Sequence, residues 1–149
     1  MKRRLIKIIT IVGVIAVIAI GIYTYMLIKT TNYLNSLTYD IVKESYDNCG
    51  DYSKSKYQDI VSERFYKSMN YLHESERVKK DDLYIYISNF TNPDTHMFYL
   101  DSAKTYYIYE IKFSIKGEDG YSYGKSHCTV TWKLDDDNVW RVSDFIDPP

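Results

Sequence analysis

Residues 107–146 read YIYEIKFSIKGEDGYSYGKSHCTVTWKLDDDNVWRVSDFI, and their hydropathy alternates with a period of two. Tyr107, Tyr109, Ile111, Phe113 and Ile115 interleave with Ile108, Glu110, Lys112, Ser114 and Lys116. Successive side chains of a strand point to opposite faces, so the first set is read as facing a core and the second as mostly facing water. Gly117-Glu118-Asp119-Gly120 turns the chain. Ser126, Cys128, Val130, Trp132 and Leu134 then alternate with Lys125, His127, Thr129, Thr131 and Lys133. Asp135-Asp136-Asp137-Asn138 is the next turn, and Val139–Ile146 is a last strand with Trp140 and Val142 inward. No crossover helix separates these strands, so the sheet is antiparallel.

Upstream, Leu83–Ile87 is another strand, Asn92-Pro93-Asp94 a turn signal, and Met97–Leu100 a short strand. Before Leu83 the period lengthens to about 3.6. Leu34, Leu37, Ile41, Val42 and Cys49 form one apolar stripe of a helix spanning Thr30–Asn48, with Gly50 as its stop. Ser55 and Gln58 fit a capping box, which predicts a second helix over Ser55–His73 with Tyr57, Ile60, Val61, Phe65, Met69 and Leu72 on one face. Glu74–Asp82 is charged and fits a loop or a short third helix. Helices first and an antiparallel meander after them make an α+β domain, with two or three helices packed on a curved sheet, cone-like or cystatin-like.

Ahead of all this lies Ile8–Ile28, IITIVGVIAVIAIGIYTYMLI, which has no charged residue. A helix of 21 residues is about 31 Å long, against a hydrocarbon core of about 30 Å. Lys2, Arg3, Arg4 and Lys7 precede it and only Lys29 flanks the far end. The positive-inside rule then puts the leader, residues 1–7, in the cytoplasm and residues 29–149 outside. Membrane lipid is thus the first expected partner, with Tyr23 and Tyr25 at headgroup level. The alternative is secretion after cleavage near Gly21, since Ala19-Ile20-Gly21 is a small-x-small triplet. The apolar run continues past that point through Met26, Leu27 and Ile28, which favours the anchor.

Of 149 residues, removing the first 28 leaves 121, enough for one domain. That part holds 15 Lys/Arg against 20 Asp/Glu, a net −5, which argues against a nucleic-acid partner. Seventeen tyrosines are the compositional oddity. Each buries a large ring while bringing a hydroxyl that needs a partner. Cys49 and Cys128 would close a long loop if they paired, but a lone pair at this spacing has no framework pattern, and two separate thiols are the preferred reading.

The order of elements, the short strand after the helical half, and the closing TVTWKLDDDNVWRVSDF (residues 129–145) resemble the nuclear-transport-factor-like cone fold. The resemblance covers residues 30–147. A basic leader, one span and an external domain of this kind is similar in layout to type IV secretion and conjugation scaffold proteins, which implies an envelope protein partner. Some cone-fold relatives are isomerases or dehydratases with tyrosine donors in an apolar pocket, which makes Tyr107, Tyr109 and Tyr123 the candidate ligand-binding residues.

No catalytic set, cofactor motif or metal site emerges from the residues. His73-Glu74 lacks the second histidine that a metalloprotease helix needs. Counted from Asp135, a calcium loop would want glycine at the sixth position and an acid at the twelfth; the chain has Trp140 and Ile146. His96 and His127 are read as solvated. The leading expectation is a single-pass membrane protein presenting an interaction domain, with a small-ligand binder or enzyme as the alternative.

Overall fold

The computed structural model describes residues 2–70, 83–115 and 120–147. α1 runs Lys2–Asp47 without interruption, 46 residues or about 69 Å. The apolar run therefore continues directly into the first domain helix. Its most apolar 18-residue window has a mean hydropathy of 2.5 and none of it is buried, so this helix is long and apolar enough to span a membrane. Within it the Thr10 and Thr24 hydroxyls donate to the carbonyls of Ile6 and Ile20, at 3.0 and 2.9 Å, so neither asks for water. Beyond Lys29 the same helix becomes amphipathic. Leu34, Leu37, Ile41, Val42 and Tyr46 are buried, as the stripe predicts, and Tyr46 joins it four residues after Val42. The helix ends at the expected place. Cys49 and Gly50 take positive φ (50° and 72°), and the Gly50 amide donates to the Ser45 carbonyl at 2.7 Å.

The predicted helix Ser55–His73 does not form as one unit. A 3₁₀ turn covers Tyr52–Lys54, residues 56–60 form a turn, and α2 spans Glu63–Ser68 with Ser62 as its N-cap. The reason is tertiary. The Ser55 hydroxyl donates to Glu44 of α1 at 2.6 Å, and the Gln58 amide turns back to the carbonyls of Tyr52 and Ser53. Ser55 Oγ also accepts from the Tyr57 amide at 3.1 Å and so caps only the turn at residues 56–60, while Gln58 is turned away to the 3₁₀ turn. Tyr57, Val61, Tyr66 and Met69 are buried all the same. The end of that predicted helix, including Leu72 and His73, and the Glu74–Asp82 segment lie outside the described residues.

The sheet is antiparallel, five-stranded and open. β1 is Leu83–Phe90, β2 Asp94–Tyr99, β3 Ser102–Ile115, β4 Ser122–Leu134 and β5 Trp140–Ile146. The order is β1-β3-β4-β5, with β2 also paired to β3. β1 and β2 run in the same direction along one edge of β3, Phe90 opposite Tyr109 and Asp94 opposite Tyr106. Asn92-Pro93 thus interrupts an edge strand and does not reverse the chain, a correction to its reading as a turn. Proline has no amide to give the ladder, and an edge strand tolerates it. Thr91 bridges the gap: its amide and hydroxyl donate to the Ile108 carbonyl, and its hydroxyl accepts from the Ile108 amide. Bulges at Ile87/Asn89, Met97/Tyr99 and Thr131/Trp132 bend the strands. Most of the Gly117–Gly120 turn lies outside the described residues.

The predicted inward rows are the core. Tyr107, Tyr109 and Ile111 of β3, Cys128, Val130 and Trp132 of β4, and Trp140 and Val142 of β5 pack with the α1 stripe and the α2 segment. A hydrogen-bond chain crosses this core. The Trp132 indole donates to Thr105 Oγ1 at 2.9 Å, Thr105 and Thr95 share a bond of 2.6 Å, and Thr95 donates to Asn35 of α1 at 2.5 Å. The Val142 amide donates to the Ile60 carbonyl at 2.9 Å, fastening the α2 segment to the β5 edge.

Candidate functional site

The inner face of the sheet and α1 bring two of the three candidate tyrosines together. Tyr107 and Tyr109 are buried neighbours on β3, with ring centroids 6.0 Å apart. Phe90 stacks on Tyr107 at 5.2 Å, and Tyr46 meets Tyr109 edge-on at 5.7 Å. The Tyr46 hydroxyl donates to Tyr109 Oη at 3.0 Å. Opposite them on β4, the Cys128 thiol points toward Ser126 Oγ at 3.7 Å, and Ser126 donates to the Asp147 carboxylate just past β5. The Tyr107 hydroxyl is buried with no nitrogen or oxygen partner, and its polar neighbour is the weakly bonding Cys128 thiol.

Tyr107, Tyr109 and Cys128 are electrically neutral near pH 7. Burial pushes both Tyr107 and Tyr109 above the ordinary phenol range, because an apolar surround disfavours the phenolate. Burial likewise pushes the Cys128 thiol up to about 12. A thiol so raised is a poor nucleophile. The cluster offers hydrogen-bond donors in an apolar setting and holds no thiolate; its one carboxylate, Asp147, is bonded to Ser126.

Tyr123 does not join the cluster. It is 70% exposed on the outer face, where the Lys112 ammonium lies 5.7 Å from its ring and 3.6 Å from that of Tyr121. The alternation of β4 accounts for this: Tyr123 shares parity with Lys125 and His127, the water-facing row. The cluster members that the sequence reading passed over are Tyr46, Ser126 and Asp147. Tyr46 was open to discovery at helical spacing from Val42; Asp147 was not, since only the β4–β5 register brings it to Ser126.

The outer face presents a different chemistry. Tyr106, Tyr121 and Tyr123 are exposed. The ring of His96, itself bonded to Asp94 at 3.0 Å, lies 5.8 Å from that of Tyr106. Lys125 pairs with Glu110 at 3.6 Å. Rings that combine an apolar body with a polar tip are enriched at protein interfaces. An open groove of about 470 Å³ lies between α1 and the β1–β2 interruption, lined by Asn35, Ser36, Tyr39, Phe90, Asn92 and Pro93.

The acidic turn is closed by its own cation. Arg141 reaches Asp135 at 2.6 Å and Asp137 at 2.7 and 2.9 Å, and donates to the Asp59 carbonyl at 2.8 Å. The hydrogen bonds from Arg141 hold the Asp137 carboxyl below its ordinary range. Among the described residues no group of three His, Cys, Asp or Glu side chains is placed to hold a metal. Cys49 and Cys128 are free thiols. Compared with known protein families, curated proteins and solved structures, the chain matches none.

Proposed function

We propose that the chain is a single-pass membrane protein whose outer domain binds another protein of the cell envelope through the exposed face of its sheet. The observation that carries this is the pairing of an apolar helical stretch, exposed throughout residues 9–26, with a tyrosine-bearing face that none of the described helices covers. Tyrosine gives large contact area at small entropic cost, so Tyr106, Tyr121 and Tyr123 are the anchors of this contact. Lys104, Lys112 and Lys125 flank them and favour an acidic partner surface. The basic leader orients the amino terminus to the cytoplasm. The layout is similar to that of type IV secretion scaffold proteins, and a scaffold role is the form of the proposal that this analogy favours.

Permanent anchoring is favoured over cleavage near Gly21 by the exposure of what cleavage would leave behind. Ile22, Tyr23, Tyr25, Met26 and Ile28 would head the mature chain at 50–67% exposure. A patch of that kind is costly in water and suited to lipid.

The test is photo-crosslinking in native membranes from Tyr106, Tyr121 and Tyr123. A discrete adduct with a second protein, lost with a charge-reversed Lys112→Glu chain, is the expected result. Monomer alone, with full function kept by a soluble Thr30–Pro149 fragment, rejects the proposal. The buried Tyr107 hydroxyl supports a second reading, a small-ligand donor in the cone interior. Saturable ligand binding that Tyr107→Phe abolishes would favour it over the first.

A further inference from the structure

α1 can be read as a ruler. It leaves the apolar run as one uninterrupted helix, so each residue past Ile28 raises the chain about 1.5 Å above the end of that run. The sheet's contacts are ordered along it. Tyr46 meets Tyr109, Tyr39 meets Phe90 at 4.9 Å between ring centroids, and Asn35 accepts from Thr95. From Phe90 to Thr95 the contacts step back toward Ile28, so β2 descends along α1. Tyr99 lies four residues beyond Thr95, about 13 Å along a strand. From Phe90 to Thr95 five residues of chain step back four residues of α1, about 6 Å, so four more residues descend about 5 Å. Asn35 stands about 10 Å above Ile28. The β2–β3 hairpin tip therefore stands about 5 Å beyond the outer end of the apolar run, within the headgroup layer.

A separate observation agrees. Among described residues 9–29, Leu27 alone is half-buried, and Thr30 and Thr31 follow it. The folded domain reaches back over the last turn of the apolar segment, and β2 is the strand that descends along α1 toward it.

The tip is built of Phe98, Tyr99 and Leu100, three consecutive large residues exposed by 54, 76 and 66%. The Lys104 ammonium lies 5.8 Å from the Phe98 ring. We propose that this tip is a second membrane attachment: Phe98, Tyr99 and Leu100 enter the headgroup–acyl boundary of the outer leaflet, and Lys104 and Lys29 meet its phosphates. Aromatic rings with a polar tip favour that layer, and basic side chains beside them add attraction to lipid phosphate. The proposal rests on the reading that Ile8–Ile28 spans the bilayer. Two points of attachment stop the domain from swivelling about α1 and hold the tyrosine face of the sheet at a set angle to the membrane.

The experiment uses the full chain in phosphatidylcholine vesicles. Trp132 and Trp140 are buried, so Tyr99→Trp adds a reporter at an exposed site, and Tyr123→Trp provides a control at the other end of the sheet. The Tyr99→Trp signal is expected to be blue-shifted, to lose most of its added emission with acyl-brominated lipid, and to resist aqueous iodide. The Tyr123→Trp signal should behave in the opposite way. If the chain floats with vesicles after alkaline carbonate but Tyr99→Trp is quenched by iodide and not by brominated lipid, the tip attachment is wrong and the anchor stands. Protection from both quenchers would mean that protein covers the tip, which also rejects a lipid occupant. If the chain does not float, the anchor and the second attachment fall together.

Discussion

Replacing Tyr107 with phenylalanine should make the domain more stable. The ring stays where it is, stacked on Phe90 and beside Tyr109, so the apolar contacts are kept. What is removed is a buried hydroxyl with no nitrogen or oxygen partner, set beside the weakly bonding Cys128 thiol. An unmet buried donor costs about 1–3 kcal/mol, and the void left by one oxygen and the loss of its contact with the Cys128 thiol offset a few tenths of that. The expected gain is about 1–2 kcal/mol, or an increase in Tm of roughly 3–10 °C for a domain of this size. Guanidinium unfolding of the full chain in detergent micelles, followed by the emission of the fully buried Trp132, measures it. Tyr109→Phe is the matched comparison. Its hydroxyl accepts from Tyr46 at 3.0 Å, so its loss should cost about 1 kcal/mol. If the two variants destabilise equally, Tyr107 has a hydrogen-bond partner in solution and the reasoning is refuted. A stabilised Tyr107→Phe protein also bears on function, because a hydroxyl kept at a cost in stability is what a binding site retains.

Thr105→Val breaks the chain linking Trp132 to Asn35 and leaves the buried indole N–H without its acceptor; a loss of about 1–3 kcal/mol in the same unfolding measurement is expected. The Cys128 thiol, pushed up to about 12 from an ordinary 9.0, contributes stability that is complete below pH 9 and falls as pH rises toward 12, because only the unfolded chain releases the proton in that window. Its share is roughly 1.4 kcal/mol per pH unit, so Cys128→Ala should flatten the alkaline stability profile by about that slope, whatever its effect at pH 7. Arg141→Gln should move the Asp137 carboxyl titration, followed by carbon NMR, up toward 3.8; in the parent chain that pairing helps the fold above pH 4 and is lost as pH falls through the depressed value. An unmoved midpoint would show that the turn backbone, and not Arg141, sets it.

Much of the molecule follows from one-dimensional pattern because the forces behind it are local. The period of two in residues 107–146 places Ile111, Cys128, Val130, Trp132 and Val142 inside, since backbone pleat alone sets the face each residue takes. The stripe from Leu34 to Val42 and the stop at Gly50 follow from helical geometry in the same way. A stretch with no charge between Ile8 and Ile28 is suited to lipid through its composition alone. Tyr123 belonged to the outer row by the same parity, and its placement among inner donors went against the pattern.

What only the folded chain decides involves groups far apart in sequence. Ser55 looks like the cap of a long helix until Glu44 of α1 ties its hydroxyl down and its oxygen caps a single turn through the Tyr57 amide. Asn92-Pro93 looks like a reversal until β3 offers both flanking strands one continuous edge. Tyr107 looks like any core tyrosine until the packing of Phe90, Tyr109 and Cys128 leaves its hydroxyl without a nitrogen or oxygen partner. The level of the β2–β3 tip above the apolar run is likewise set by the register of β2 on β3 and by its seat on α1. Hydropathy reports which face a residue prefers; which atoms then meet depends on long-range register and on competition for hydrogen bonds, and neither is written in any short stretch of the chain.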